Sequence, residues 1–292
     1  MPTIPTHKGC QFYELWGPEG APFVLLLRGA FSGSWQYHLL RDDLATDFRV
    51  ITVDYRGDGQ SKNQLWDVPP GQIAEDMCAL VEHLGAERCH IIAISLGVFV
   101  LAEMMHRGFP AAGRSIIVSA PALRGRLKLP LTPLEVLDQP PGRKFAPTQQ
   151  IALASVGLFV SERFRNEQPE RYQETVDRTR DVSAPELSAG LQQFAGMFGY
   201  EWGRHRILER LEYKTRLLMV GDQDILAPIE NVRDHPLFLE GPTLVFRKAG
   251  HRFFYEDAQP FNDITHHFLS QGRLPVPLPG RGIVQRLEEV SA

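Results

Sequence analysis

The stretch Cys89-His90-Ile91-Ile92-Ala93-Ile94-Ser95-Leu96-Gly97-Val98-Phe99-Val100 decides how this chain folds. Up to Ile94 it is a largely apolar run, as in a strand buried on both faces. After Ser95 it is apolar again, with spacing that a helix accepts. A buried strand that turns sharply into a buried helix forces the serine between them out of regular structure. Its hydroxyl is then presented at the tip of a sheet, which is the physics of a nucleophile elbow, G-x-S-x-G. Small residues flank the serine because the turn is tight and the helix packs close to the strand. Here Ala93 stands at the first glycine position and Gly97 at the second. A plain tight turn would favour glycine over Ser95, so the serine side chain is expected to have a use.

Upstream, Gln11–Trp16 and Phe23–Leu27 are strand-like runs separated by Gly-Pro-Glu-Gly-Ala-Pro, and an antiparallel pair is expected there. A loop of small residues, Arg28-Gly29-Ala30-Phe31-Ser32-Gly33, precedes a helix over Gln36–Ala45. The strand Arg49–Asp54 runs into Tyr55-Arg56-Gly57-Asp58-Gly59-Gln60-Ser61. The glycine pair there is not a dinucleotide fingerprint, because Lys62 occupies the third position. Asp54 and Arg56 are expected to pair or to anchor the turn. Gly71–Leu84 is amphipathic and helical, and Ser115–Ser119 is the next strand. Strands alternating with helices imply a parallel sheet.

That rhythm breaks after residue 120. A Pro-rich, basic entry (Leu123–Lys144) leads to helical segments near Thr148–Phe164, Pro169–Arg180 and Ala184–Tyr200. Buried strands resume at Arg216–Gly221 and Thr243–Phe246, and a helix follows over Pro260–Leu269. The expected fold is α/β, a mostly parallel central sheet flanked by helices, with a helical cap inserted before the last strands. The divisions are 1–120 (core), 121–212 (cap), 213–270 (core) and 271–292 (a tail that packs on the core, exchanges with a neighbour or stays mobile).

Composition narrows the function classes. The 292 residues are 43% hydrophobic and 23% charged, with net charge -4, so neither nucleic acid nor an anionic membrane surface is an expected partner. No run reaches the roughly 18 apolar residues of a membrane span. Three irregularly spaced cysteines, Cys10, Cys78 and Cys89, suit a reducing compartment, and a cytoplasmic location is expected. His266-His267 has no metal-ligand spacing, and neither a metal nor a cofactor is expected.

Two loops after late strands carry what a serine nucleophile requires. They are Gly221-Asp222-Gln223-Asp224-Ile225-Leu226-Ala227-Pro228 and Gly250-His251-Arg252-Phe253-Phe254-Tyr255-Glu256. Both belong at the same carboxyl edge of the sheet as Ser95, where open α/β sheets bind ligands. With Leu26–Phe31, Val53–Ser61 and Ile94–Gly97, these pieces over residues ~10–270 resemble the capped α/β-hydrolase-fold family, whose chain order is Ser…Asp…His. The resemblance implies Ser95 as nucleophile, His251 as general base and then acid, and Asp224 (favoured over Asp222) as the carboxylate that orients it. It implies the backbone N–H groups of Ala30 and Leu96 as oxyanion donors.

Arg28 stands where the family usually has histidine. It either binds an acidic substrate group or, the favoured alternative, braces the neighbouring loops. Phe31, Ile94, Phe159, Phe194 and Phe198 are candidate substrate contacts, with Leu153, Leu158 and Met197 as further apolar cap positions. The expected activity is hydrolysis of a carboxylic ester, lactone or thioester of a small molecule through an acyl-enzyme, by a monomer or homodimer. An acyltransferase that passes the acyl group to an alcohol, or a non-catalytic binding protein of this fold, are the alternatives. Dehalogenases and epoxide hydrolases of the fold need Asp at the elbow, so Ser95 argues against both.

Overall fold

Period-2 alternation along apolar strands sorts the core into two halves, one on each side of the sheet. The computed structural model describes residues 2–6, 9–31, 33–61, 68–121, 156–180, 183–198, 200, 206–212, 215–231, 241–280 and 282–290. Nine strands form one sheet: β1 (Thr3–Thr6), β2 (Gly9–Trp16), β3 (Phe23–Leu27), β4 (Arg49–Val53), β5 (His90–Ile94), β6 (Ser115–Val118), β7 (Arg216–Gly221), β8 (Thr243–Phe246) and β9 (Val284–Arg286). Their spatial order is β1-β2-β4-β3-β5-β6-β7-β8-β9. Neighbours from β4 to β8 are parallel, whereas β1/β2, β2/β4 and β8/β9 are antiparallel.

Leu25, Leu27, Ile91, Ala93, Ile117, Leu218 and Val220 point to one side, against α2 (Pro70–His83) and α3 (Leu96–His106). Val24, Leu26, Ile92, Ile94, Ile116, Val118, Leu217 and Met219 point to the other, against α1 (His38–Leu44) and α8 (Ala258–Gln271). Between β6 and β7 lie helical residues 156–159, then α4 (Glu162–Glu167), α5 (Pro169–Arg180) and α6 (Ala184–Phe198). Helix α6 packs on α2 and α3. Short α7 (Phe253–Glu256) precedes α8.

Several expectations change. Strands β2 and β3 are not partners, because β4 lies between them and pairs with both. The turn-rich spacer at residues 17–22 therefore joins strands two places apart. Arg56 does not pair with Asp54. Its guanidinium makes a two-pronged bond to the Asp76 carboxylate on α2, with both contacts at 2.7 Å. Asp54 does anchor its turn, accepting from the Gln60 N–H at 3.0 Å. Of the helical segment expected near 148–164, the described part is helical over 156–159 and breaks at Ser161, whose hydroxyl accepts from the Phe164 N–H to start α4. The tail contributes β9, which pairs with β8. Residues 122–155, including the Pro-rich entry and Leu153, lie outside the described residues. No helix among the described residues is long and apolar enough to cross a membrane.

Candidate active site

Ser95 holds the backbone conformation that the elbow requires. Its φ of 51° and ψ of -112° fall where non-glycine residues are strained. The surroundings hold it there. The Ser95 N–H donates to the Val118 carbonyl at 3.0 Å, and its own carbonyl accepts from the Val98 N–H at 2.9 Å. Gly97 has a second, independent reason to be glycine. A Cβ there would sit 2.1 Å from the Leu27 carbonyl oxygen, so only a residue without one lets α3 approach β3 this closely. Ala93 needs no such allowance. It lies opposite Leu27 and Ile117 in the sheet and is fully buried in the core.

The late loops meet at the same edge. His251 Nδ1 lies 2.9 Å and 2.8 Å from the two carboxylate oxygens of Asp224. Asp224 Oδ1 also accepts from the N–H groups of Leu226 (2.9 Å) and Ala227 (2.8 Å), which fixes the carboxylate's orientation. Asp222 faces elsewhere, toward Arg247 at 3.3 Å. The His251 carbonyl accepts from the Ser119 hydroxyl at 3.1 Å, tying the histidine to the strand beside Ser95's own. Glu256 receives the N–H of Gly250 (3.1 Å) and both the N–H (3.0 Å) and the hydroxyl of Ser161. One buried carboxylate thus joins the histidine loop to the helical insertion, and burial raises its pKa.

Ala30, Ser95, Pro121, Phe159, Phe194, Met197 and Leu226 line a cavity of ≈ 10 Å³. The Phe159 ring also lies 5.7 Å from the His251 ring, so one aromatic side chain touches both the cavity at Ser95 and the histidine. Leu96 is the first residue of α3, and its N–H has no partner within the helix. The loop that carries Ala30 is held by two tyrosines. Tyr37 Oη accepts from the Gly29 N–H at 3.0 Å, and the Tyr55 hydroxyl donates to the Arg28 carbonyl at 3.3 Å.

The candidate substrate contacts divide. Phe159 and Phe194 line the cavity. Phe31 stands behind Phe194, with ring centroids 5.7 Å apart. Ile94 is corrected: the alternation of β5 turns it away from the elbow into the core beside Val118 and Met219, at 1% exposure. The Phe198 side chain lies outside the described residues. Arg28 is buried under its own loop, ion-paired with Asp58 and stacked 4.3 Å above the Tyr55 ring. Gln193 of α6 donates to the same Asp58 carboxylate at 2.9 Å. These contacts make Arg28 a brace between loops. The sequence pointed to no role for Arg252, whose unusual environment is a matter of burial and not of pattern. His266 lies between Asp43 (3.1 Å) and Asp47 (2.9 Å), and no metal-binding group of side chains occurs among the described residues.

A sequence profile of the alpha/beta hydrolase family matches residues 24–264. The chain belongs to this family. One curated relative is the dihydrolipoyllysine-residue acetyltransferase component of the acetoin cleaving system of Pseudomonas putida. It is 26% identical over 270 residues, covering 89% of this chain and 66% of that protein, so the chain spans just under two thirds of its length. Among solved members of the fold, an esterase from a Rhodococcus species aligns with TM-score 0.72 and 18% identity, covering 93% of this chain and 98% of its own. The enol-lactonase of Burkholderia xenovorans aligns with TM-score 0.71 and 16% identity over 92% of this chain and 100% of its own.

Proposed function

We propose that this alpha/beta hydrolase cleaves a carboxylic ester, lactone or thioester of a small molecule through an acyl-enzyme. The observation that carries the proposal is a strained serine at a helix start on the same sheet edge as a buried, two-pronged Asp–His pair. In this mechanism His251 takes the Ser95 proton as the hydroxyl attacks the carbonyl carbon. The resulting oxyanion is received by the N–H groups of Leu96 and Ala30. Collapse expels the alcohol or thiol, which takes the proton from His251. Water, activated by the same histidine, then releases the acid. Asp224 keeps the imidazole in the tautomer with its proton on Nδ1 and stabilises the imidazolium that forms. A cavity of ≈ 10 Å³ has room for about one water. Substrate entry therefore requires Phe159, Phe194 and Met197 to give way, and their apolar surfaces suit an acyl chain or ring.

The test is labelling with a fluorophosphonate probe, together with hydrolysis of aryl esters of increasing chain length. Wild-type protein should label and turn over, and Ser95→Ala should do neither, losing on the order of 10⁴-fold or more in kcat. Absence of labelling at Ser95 would refute the reading. A second reading, acyl transfer to an alcohol, is favoured by the acetyltransferase-component relative. It would be supported by labelling with negligible hydrolysis that an added alcohol acceptor restores.

A further inference from the structure

His251 is followed by an ionisable side chain that the chemistry above does not use. The backbone of Arg252 is committed. Its N–H donates to the Phe159 carbonyl at 2.9 Å, and its carbonyl accepts from Tyr255 (2.7 Å) and Glu256 (3.0 Å). The side chain is in a different situation. Arg252 is only 5% exposed, and its Nη1 is buried with no hydrogen-bond partner among the described residues. The side chain of each other deeply buried arginine among the described residues makes a hydrogen bond or ion pair of a kind that the Arg252 side chain lacks. Arg28 has Asp58, Arg56 has Asp76, and Arg216 donates to the Leu211 carbonyl.

The groups that face Arg252 offer little compensation. They are Tyr37, Tyr255 and Glu256. Glu256 carries the only carboxylate of the three, and its oxygens are taken by Ser161 and Gly250. Burial pushes the Arg252 pKa down to about 10, which still leaves it a full cation at neutral pH. An enclosed charge whose nearest carboxylate is engaged elsewhere is costly, and a chain tolerates it where something else supplies a hydrogen-bonded partner.

Its position indicates what that partner is. The guanidinium carbon lies 4.7 Å above the Phe159 ring. The same ring lies 5.7 Å from His251 and lines the cavity that contains Ser95. The cation is thus one aromatic ring away from the point where the scissile carbonyl must bind. Stacking on that ring occupies the flat face of the guanidinium and leaves its N–H edges for a planar, two-oxygen acceptor. We infer that Arg252 anchors a carboxylate carried by the substrate, so that the preferred substrates are half-esters of dicarboxylic acids or lactones bearing a free carboxylate. This inference rests on the ester-cleaving reading and narrows it to one substrate class.

The test begins with wild-type protein and two aryl esters of matched length, p-nitrophenyl hydrogen glutarate and p-nitrophenyl hexanoate. The anionic ester should be favoured in kcat/KM by about 10- to 100-fold, the worth of a hydrogen bond to a charged group. Arg252→Met should collapse that ratio, and Arg252→Lys, which keeps the charge without the fork, should retain part of it. In parallel, the dicarboxylates from malonate to adipate are titrated into Ser95→Ala protein by calorimetry. At least one should bind saturably, and the added Arg252→Met change should abolish binding. This second arm needs no turnover, while fluorophosphonate labelling of Ser95 needs no anion, so failure of either idea is separable from failure of the other. Should Arg252→Met not fold, wild-type selectivity and dicarboxylate binding decide alone. Equal use of the two esters by labelled, active enzyme, with no dicarboxylate bound, would overturn the inference. Preference for a phosphate-bearing ester over the carboxylate one would overturn the substrate class.

Discussion

Arg28 and Arg252 sit on two loops at the same sheet edge, both under 6% exposed, and they differ in company. Arg28 leaves β3, meets Asp58 from the loop after β4, and stacks on Tyr55; Gln193 of the insertion secures Asp58. Arg252 stacks on Phe159, and the one carboxylate that faces it, Glu256, is engaged by Ser161 and Gly250. The first arginine is part of the scaffold, with its charge neutralised inside the protein. The second follows the candidate catalytic histidine in the chain and has no hydrogen-bonded counter-charge for its Nη1 among the described residues. A guanidinium cannot escape burial by losing its proton, so its partner, or the lack of one, is informative about use.

The largest effect that bears on this contrast should come from Asp58→Ala, which strips Arg28 of its carboxylate. Stability should fall by about 3–5 kcal/mol, read from urea denaturation. A loss below about 1 kcal/mol would mean that the pair is not what holds Arg28, and the two arginines would no longer differ in kind. Replacing both partners, as Arg28→Met with Asp58→Leu, should recover most of the loss, because no charge is then stranded. Arg252→Met should behave in the opposite way. It removes a buried cation with no hydrogen-bonded counter-charge and forfeits a cation–π contact of roughly 1 kcal/mol, so stability should hold or rise by about 1 kcal/mol. A large loss in that variant would show that Arg252 is structural after all.

The smallest effect concerns a half-buried base that can shed its proton. Burial, with Arg114 adding to it, lowers the His90 pKa from 6.5 to about 4. Its Nδ1 accepts from the Arg114 N–H at 2.9 Å, which requires the neutral ring. Between these two pH values the unfolded chain binds the proton and the folded chain does not. The contribution of His90 is therefore complete above about pH 6.5 and is lost as the pH falls through 4. His90→Gln keeps an acceptor without the titration and should flatten that part of the stability curve. Unchanged steepness would assign the slope to carboxylates instead.

What could be read in the sequence follows from how local each signal is. Strands β3, β7 and β8 have the bounds that the sequence runs give, because burial on both faces makes their interiors continuously apolar. The elbow was legible because its backbone demand falls on a few consecutive residues. Strand β1, Thr3–Thr6, has no period to detect and exists because β2 supplies its partner. The place of β4 between β2 and β3 is a property of the whole sheet, and the turn chemistry at residues 17–22 cannot express it. Ile94 is a candidate contact in the sequence, yet strand parity turns it into the core on the other face of the sheet. Arg28 and Arg252 are equivalent letters in the sequence. Only the three-dimensional packing pairs the first with a carboxylate of its own and leaves the second without such an ion pair among the described residues.

The last strand has a consequence of its own. Without β9, the outer row of N–H and C=O groups on β8 would be an open template for another chain. Residues 284–286 occupy that row, and the Ile283 carbonyl accepts from the Arg247 N–H at 2.7 Å, four residues before His251. The tail therefore serves both as a seal against edge-to-edge aggregation and as the outer support for the strand that delivers the histidine. Shortening it, or fusing a bulky partner against it, would alter chemistry and solubility together, although no described residue of the tail lines the Ser95 cavity.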